Sequence, residues 1–322
     1  MLDADVEVDR RAFIVRAALQ VAPGSRLALF GPSGAGKTTL LEVIAGLVAP
    51  RRGHVSLSGR VLTSTARPVV AVPPWQRRVG LLRQNPGLFP HLSVRDNLCY
   101  APSASPSEAE LTSLTSVLGI GDLLPAMPAR LSGGQAHRVA LGRLLLARCD
   151  TLLLDEPYTG LDAHLRRTLT QLVGSLVTDR RVPAVLVTHD LPDAQAFADQ
   201  LAVLDRGEVL QAGRPDEVVL RPASRRVAEL VGYLGFVPSG RGLAGVHPDR
   251  VAAGALEGRG LVLAGVVQAS RPAGAGWEAD LRVGESTVIC HLAGRPPADG
   301  AEFTVTALDP PYFGPDGQGP DV

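Results

Sequence analysis

The sequence has few cysteines and few aromatic residues, and it carries no excess of either charge. Three cysteines occur among 322 residues, at positions 99, 149 and 290, with no C-x-x-C pair. They predict buried thiols in a reducing compartment, because disulfides and zinc sites need paired cysteines. Lysine plus arginine and aspartate plus glutamate both total 32. The overall charge therefore gives no argument for a nucleic-acid partner.

Long hydrophobic runs are also lacking. The richest apolar stretch, residues 139–149, is too short to span a bilayer and is interrupted by Arg143 and Arg148. The amino terminus is acidic and does not have the pattern of a signal peptide. We therefore expect a cytoplasmic protein that contacts a membrane only through a partner. With 322 residues, 45% of them hydrophobic, the chain is long enough for two domains with real cores.

The most informative stretch fits the phosphate-binding pattern G-x-x-x-x-G-K-[ST]. Its glycines allow successive backbone N–H groups to face phosphate oxygens, its lysine brings a positive charge, and its threonine hydroxyl can bind Mg²⁺. An apolar strand over residues 26–30 precedes it and a helix over residues 39–45 follows, as such a loop requires. The predicted nucleotide-binding residues are Gly31, Pro32, Ser33, Gly34, Ala35, Gly36, Lys37, Thr38 and Thr39.

Phe13 is the only aromatic residue in the region before Phe30. Its ring could stack on a purine base, or it could face the core as an ordinary strand residue. The sequence leaves both interpretations open.

Polar side chains follow three other apolar strands. Gln84, the pair Asp155 and Glu156, and His189 each stand at such a strand end. In a doubly wound α/β sheet the carboxyl ends of the strands meet at the ligand-binding edge. We therefore expect Thr38, Gln84 and Asp155 near Mg²⁺, and Glu156 in a position to polarise water.

A second anion-binding geometry is predicted farther along the chain. Ser132, Gly133, Gly134 and Gln135 precede a helical run over residues 136–148. Serine and glycine at a helix N-terminus leave backbone N–H groups for an anion. One nucleotide needs only one such helix end, unless a second chain supplies the other.

The composition changes near residue 236. Beyond it the chain is glycine-rich. Four short strand candidates separated by turns, at residues 261–267, 278–283, 287–292 and 302–308, predict a small all-β barrel or sandwich. The predicted fold class is an α/β P-loop NTPase over residues 1–232, with a helical insertion at about residues 85–150. A barrel-like β-domain over residues 236–313 follows, and the Gly-, Pro- and Asp-rich residues 314–322 are expected to form a disordered tail.

In this order the motifs resemble those of the ATP-binding subunit of ABC transporters, over about residues 5–232. Each motif has a counterpart in that family. Residues 31–39 are similar to Walker A, residues 131–135 are identical to the LSGGQ signature, residues 152–156 are similar to Walker B with its catalytic glutamate, Gln84 is similar to the Q-loop glutamine, Asp162 to the D-loop aspartate, and His189 to the switch histidine.

The resemblance implies an ATPase that uses ATP and Mg²⁺ and works as a head-to-tail homodimer. In such a dimer Ser132, Gly133 and Gly134 of one subunit contact the γ-phosphate bound to the other, and Gln135 and Asp162 belong to the same nucleotide site. The family assigns three catalytic positions: Glu156 is the general base, His189 senses the γ-phosphate, and Gln84 links the Mg²⁺ site to a transmembrane permease, which contacts residues 84–93.

The C-terminal β-domain resembles the regulatory extension of solute importers, whose systems also include an extracytoplasmic solute-binding protein. Residues 77–94 look most like the corresponding stretch of molybdate importers, so molybdate is the expected solute. The C-terminal domain lacks the Ser-x-x-Asn segment of that group, which leaves ferric iron, sulfate, thiamine and polyamine as alternatives. The expected location is the cytoplasmic side of the cell membrane, as a peripheral subunit.

Two other classes of protein share parts of this pattern. A soluble ABC ATPase acting on nucleic acid or ribosomes is disfavoured, because the chain has neither a long coiled-coil insert nor a net positive charge. A catalytically inactive ATP-binding module is disfavoured because Lys37, Asp155, Glu156 and His189 are all present.

Overall fold

The computed structural model describes residues 1–10, 13–101, 106–256 and 258–319. The chain divides into two compact units, Met1–Pro215 and Asp216–Val322. Of the helices in these described ranges, none combines the length and apolar character needed to span a membrane.

The first unit contains eleven strands and six helices within the described residues. Its strands are β1 (Leu2–Asp9), β2 (Ile14–Val21), β3 (Arg26–Phe30), β4 (Arg52–Leu57), β5 (Arg60–Ser64), β6 (Val70–Ala71), β7 (Val79–Leu82), β8 (Thr151–Asp155), β9 (Ala184–Thr188), β10 (Gln200–Asp205) and β11 (Glu208–Gly213). Its helices are α1 (Lys37–Ala45), α2 (Val94–Leu98), α3 (Glu108–Leu118), α4 (Gly133–Leu146), α5 (Ala163–Arg180) and α6 (Leu191–Phe197).

The strands of this unit form one sheet in the order β6-β5-β4-β1-β2-β11-β10-β3-β9-β8-β7. The block β10-β3-β9-β8-β7 is parallel, whereas β1, β2, β4, β5 and β6 pair in antiparallel fashion. Every residue of β8 and β9 is buried, as expected for parallel strands that are covered on both faces. The parallel block brings the ends of β3, β8 and β9 next to one another, which is the edge predicted to bind the nucleotide.

The predicted helical insertion is present between β7 and β8. It contains α2, α3 and α4, whose apolar side chains share one core that includes Leu98, Leu118 and Leu141. The helices pack closely at Gly142, where a Cβ atom would lie 2.8 Å from the side chains of Leu118 and Leu98. A larger residue at this position would force the helices apart.

The second unit begins with helices, earlier than the predicted boundary after residue 232. Tyr233 explains the difference: its hydroxyl donates to the Val219 carbonyl at 3.0 Å, and its ring packs edge-on against His247 at 5.1 Å between centroids. The helical segment is thereby built into the β unit. Its elements are α7 (Pro215–Leu220), α8 (Arg225–Leu230), β12 (Gly235–Ser239), β13 (Gly242–Val246), β14 (Val251–Ala253), β15 (Gly260–Ala273), β16 (Gly276–Val283), β17 (Ser286–Leu292), β18 (Glu302–Leu308) and β19 (Tyr312–Phe313).

The β strands of the second unit form two antiparallel sheets instead of one barrel. One sheet has the order β12-β13-β19 and the other β14-β18-β15-β16-β17. Both contribute to a single apolar core, with Val237 and Val246 from the smaller sheet and Leu263, Leu281 and Val305 from the larger. The all-β character is therefore as predicted, and the arrangement is the sandwich alternative.

The predicted disordered tail is partly ordered. The backbone N–H of Gly314 donates to the Gln318 carbonyl, which closes a turn, and the Gly319 N–H donates to the Ala223 carbonyl at 2.9 Å. The Arg225 N–H donates to the Gly317 carbonyl at 2.8 Å. These backbone bonds hold residues 314–319 in place, which composition alone did not indicate; residues 320–322 lie outside the described residues.

Candidate functional site: a phosphate loop at the carboxyl edge of the sheet

The phosphate loop connects β3 to α1 and depends on glycine at two close approaches. Gly36 is the N-cap of α1 with a φ of 110°, and a Cβ atom there would lie 2.7 Å from Val15 Cγ2. At Gly31, whose φ is 155°, a Cβ atom would lie 2.0 Å from the Leu204 carbonyl oxygen. The left-handed backbone and the lack of space both require glycine, as the sequence motif predicts.

Lys37 is the first residue of α1, and its ammonium group lies within the loop. Nζ donates to the carbonyl oxygens of Gly31 at 2.7 Å and Pro32 at 2.9 Å. Burial lowers the pKa of Lys37, while the nearby carboxylates of Glu156 and Asp155 act in the opposite direction. The loop thus presents a desolvated positive charge, which interacts strongly with a phosphate because little water screens it.

Thr38 connects the phosphate loop to the end of β8. Its hydroxyl lies 3.0 Å and 3.2 Å from the two carboxylate oxygens of Asp155, to which it donates. Burial raises the pKa of Asp155, and the hydrogen bond from Thr38 opposes that rise. Hydroxyl and carboxylate oxygens are ligands that Mg²⁺ prefers, so this donor set fits the predicted ion.

Glu156 and His189 form the second half of the site. His189 Nδ1 lies 2.9 Å from Glu156 Oε1, within hydrogen-bond distance. The backbone N–H of Glu156 donates to the Val187 carbonyl at 3.0 Å, which ties the end of β8 to β9. Neighbouring parallel strands thus deliver the carboxylate and the imidazole to one place, as predicted.

A cavity of about 730 Å³ brings most of these residues together. Gln84 lines it, as predicted, and so does Phe13, which also packs against the core of the first unit. Phe13 therefore lies both at the cavity and against the core, and its stacking on a purine base stays a prediction. The described lining consists of Arg10, Phe13, Ser33, Gly34, Gly36, Lys37, Thr38, Thr39, Gln84, Glu156, Val187 and His189.

The described lining of this cavity does not include the signature residues 132–135. Ser132 caps α4 in a reciprocal arrangement: its hydroxyl accepts from the Gln135 N–H at 3.3 Å, and Gln135 Oε1 accepts from the Ser132 N–H at 2.8 Å. Gly133 and Gly134 have open space where a Cβ atom would stand. The second helix end is therefore formed and accessible, but it does not serve the phosphate loop of its own chain.

Asp162 lies at another helix start. Its carboxylate accepts from the backbone N–H groups of Leu165 at 2.9 Å and His164 at 3.0 Å, as the N-cap of α5. The bond from Leu165 is the main cause that lowers the pKa of Asp162. The described residues show a capping role for Asp162 within one chain.

Residues 84–93 form a loop held by a buried asparagine. Asn97 donates from Nδ2 to the carbonyls of Phe89 and Leu92, and its Oδ1 accepts from the Phe89 N–H at 2.8 Å. Leu88 packs partly buried against the helical core, and Phe89 stacks on Tyr100 with 4.0 Å between the ring centroids. The loop is shaped by these contacts and is not a free apolar tip.

Arg77 supports the site from the far end of α1, and sequence reasoning did not find this role. Its guanidinium is buried and donates to the carbonyls of Val43 and Ile44 at 3.2 Å and 3.0 Å, and to Thr63 Oγ1 at 2.9 Å. A cation at a helix C-terminus satisfies carbonyls that lack partners within the helix and complements the helix dipole. Arg77 thus fixes the helix that carries Lys37.

Comparisons with known proteins support the same reading of the first unit. Residues 15–159 match the family model described as ABC transporter. The chain is 41% identical over 224 residues to the Fe(3+) ions import ATP-binding protein FbpC of Pseudomonas fluorescens, covering 69% of this chain and 62% of that protein. It is 40% identical over 230 residues to the sulfate/thiosulfate import ATP-binding protein CysA 2 of Chromobacterium violaceum, covering 70% of this chain and 61% of that protein. The chain therefore matches less than two thirds of the length of these relatives.

Solved structures show the same similarity. One is a dimeric structure of a post-hydrolysis state of the ATP-binding cassette MJ0796 bound to ADP and Pi, with a TM-score of 0.56 and 25% identity over 67% of this chain and 99% of that one. Another, an ATP-binding subunit of an ABC transporter, gives a TM-score of 0.59 and 28% identity over 72% of this chain and 95% of that one. With the phosphate loop, the paired strand-end carboxylates and the helical insertion, these matches identify a P-loop NTPase fold of the ABC ATPase type, to which this chain adds all-β sheets at its C-terminal end.

Proposed function

We propose that the chain is the ATP-hydrolysing subunit of an ABC importer. The observation that carries the proposal is the contact between Glu156 and His189 at 2.9 Å, in the cavity that Lys37 and Thr38 also line. A carboxylate oriented by an imidazole beside a phosphate-binding lysine is suited to take a proton from water that attacks a phosphate.

In this mechanism the chain supplies positioning and charge. Lys37 and the backbone N–H groups of the loop bind the β- and γ-phosphates. Thr38, Asp155 and Gln84 would hold Mg²⁺, which when bound neutralises charge on the phosphate oxygens. Glu156 accepts the proton of the attacking water, and His189 keeps its carboxylate in place.

We further propose that the working form is a head-to-tail homodimer. A formed helix begins at Ser132, Gly133 and Gly134, and the two glycines have open space beside them. None of the three belongs to the described lining of the phosphate cavity in the same chain. A second copy would bring this helix end to the γ-phosphate, and Gln135 and Asp162 would lie at the same interface. A solved relative is described as dimeric, which supports a dimer for this chain.

The proposed membrane partner is a permease that binds beside Gln84, through residues 84–93, on the cytoplasmic side of the membrane. Asn97 and Tyr100 hold this loop in a defined shape, as a docking surface needs. An extracytoplasmic solute-binding protein would act through the permease.

For the solute, the relatives favour the alternatives over molybdate. The two relatives described above are named for import of ferric ions and of sulfate or thiosulfate, and neither name supports molybdate. We therefore propose ferric iron or sulfate as the transported solute. Transport assays with the permease, comparing radioactive iron, sulfate and molybdate, would distinguish the three.

Hydrolysis itself is tested by replacing Glu156 with glutamine. We expect Glu156→Gln to lower Mg²⁺-dependent ATP turnover by roughly 10²–10⁴-fold, the usual loss on removal of a general base, with ATP binding retained. Glu208→Gln is the control, since Glu208 is exposed and lies 3.7 Å from Arg16 in a surface ion pair. Turnover by Glu156→Gln at the wild-type rate would remove Glu156 from this role.

A further inference from the structure

The second unit contains an open cavity of about 850 Å³ that the ATPase mechanism does not use. Its described walls come from segments distant in sequence: the end of α7, the turn between β12 and β13, the 3₁₀ turn Pro248–Arg250, and the residues before β19. The volume falls in the range of pockets that hold small organic ligands.

Positive charge dominates the lining. Arg221, Arg241 and Arg250 line the cavity, and Asp309 is the one carboxylate of its described lining. Arg221 is already engaged in another interaction, so the charge available to a ligand is that of Arg241 and Arg250. Asp309 lies 3.6 Å from Arg250, but its side chain is 85% exposed, so water screens this pair. The cavity therefore keeps a net positive charge that favours an anion.

Arg241 is held flat by an aromatic ring. Its guanidinium lies over Tyr312, 5.5 Å from the ring centroid. A cation–π contact uses the face of the guanidinium and leaves the N–H donors at its edge, where a carboxylate or phosphate binds in a forked manner. The described part of the chain gives these donors no hydrogen-bond acceptor.

The remaining wall is apolar. Leu220, Pro222, Pro310 and Pro311 line the cavity beside the Tyr312 ring. Prolines have fixed backbone angles, so this wall loses little entropy when it is covered. A small inorganic oxyanion would leave such a wall without contacts, whereas an organic group would cover it.

We propose that this cavity binds a small organic anion, with a phosphate or carboxylate group on Arg241 and Arg250 and an apolar group against the prolines and Tyr312. The site is separate from the phosphate loop, and it does not depend on the proposed ATPase activity.

The test is isothermal titration of the full chain with four probes: phenyl phosphate, phthalate, inorganic phosphate and phenol. ADP and Mg²⁺ are kept at saturation so that the phosphate loop is occupied. We expect phenyl phosphate or phthalate to bind at least about tenfold more tightly than inorganic phosphate or phenol, since only the organic anions use both walls. Arg241→Gln should weaken this binding at least about tenfold, through loss of a charge-assisted contact.

Arg295→Gln is the matched control. Arg295 is also an exposed arginine over an aromatic ring, 5.1 Å from the centroid of Trp277, but it does not line the cavity. Its variant should bind as the wild type does. Failure of both organic anions to bind, equal affinity for inorganic phosphate, or equal effects of the two substitutions would each overturn the proposal. If Arg241→Gln does not fold, Arg250→Gln provides the same comparison.

Discussion

Glu156 adopts a strained backbone conformation at the point where the chemistry is proposed. Its φ is 49°, in a region that costs a residue with a Cβ atom about 1–2 kcal/mol. Successive residues of a strand point to opposite faces. A change of backbone direction after Asp155 therefore allows Glu156 to reach the cavity that Thr38 lines. Such strain persists only where surrounding bonds enforce it, here the bond from its N–H to Val187.

The phosphate loop gives a prediction at the same scale. Gly36→Ala should weaken ATP binding by more than tenfold. The new methyl group would lie 2.7 Å from Val15 Cγ2, and the alanine backbone would have to adopt a φ of 110°. Gly34→Ala is the control: its φ is also positive, at 82°, but nothing lies within 4 Å of the added atom. Titration with a fluorescent ATP analogue compares the two. Equal losses would show that backbone strain alone, and not the contact with Val15, requires glycine.

Side chains that act through a motif are predictable from sequence, and those that act through distant backbone are not. Lys37, Asp155 and Glu156 have roles that follow from residue type and spacing. Arg77 binds the carbonyls at the end of α1, and carbonyl groups leave no trace in the residue pattern. Arg10 also lines the cavity, and no motif in the sequence marks it.

At the scale of elements, the buried parallel strands are the most predictable part of the fold. The predicted strand at residues 26–30 coincides with β3, and the strand ends predicted at Asp155 and His189 are those of β8 and β9. They are covered on both faces, so their apolar runs are continuous and bounded by polar residues. These strands can therefore be placed from the local apolar pattern alone.

β15 is longer than its pattern indicates. The predicted strand covers residues 261–267, whereas β15 extends over Gly260–Ala273. Its first part pairs with β18 and its second with β16, and the register shifts between Val267 and Ala269. The second part lacks an apolar run, since it mixes polar residues with alanine and contains Pro272, so only its partner strand reveals it.

An imidazole in the second unit is expected to make the stability of that unit depend on pH. His291, in β17, contacts two carboxylates. Its Nδ1 lies 2.5 Å from Asp249 Oδ1, and its Nε2 lies 3.3 Å from Glu278 Oε2. The hydrogen bond to Asp249 is the main cause that raises the pKa of His291 above its usual value. Arg271 also binds Glu278, and His247 lies 3.9 Å from Asp249.

The direction of the effect follows from linkage. Because the folded-state pKa of His291 is raised, its contribution to the free energy of unfolding is fully present below the unfolded-state pKa of about 6.5. The contribution is lost as the pH rises through the folded-state pKa. We therefore expect the unfolding midpoint in urea to fall as the pH is raised through this window, and less so in His291→Gln.

Trp277 in β16 reports this transition by fluorescence, in a Trp75→Phe background, since the chain has two tryptophans. His54→Gln is the control: His54 contacts Asp3 at 3.2 Å in the first unit and should not change the Trp277 transition. A pH dependence that is the same in His291→Gln and in the parent would contradict the assignment.

At the scale of the whole molecule, the two halves of the proposed nucleotide site do not meet within one chain. Residues 132–135 are not part of the described lining of the phosphate-loop cavity, although Ser132 and Gln135 have already formed the cap of α4. The sequence leads to the same proposal, because a second helix end without a ligand of its own indicates a second chain. Sequence could not fix the unit boundary, because Tyr233 joins the helical segment to the β sheets through contacts distant in sequence.

The most direct test of the shared site is a cross-link between two copies. Ser33→Cys and Gly133→Cys are made separately; both positions are exposed, and Gly133 has nothing within 4 Å of an added Cβ atom. The two variants are mixed with ATP and Mg²⁺ under mild oxidation. We expect a covalent dimer in the mixture only, and none with either variant alone or with the wild type, which controls for its three native cysteines. No cross-link in the mixture, with both variants shown to bind ATP, would contradict an ATP site built from two chains.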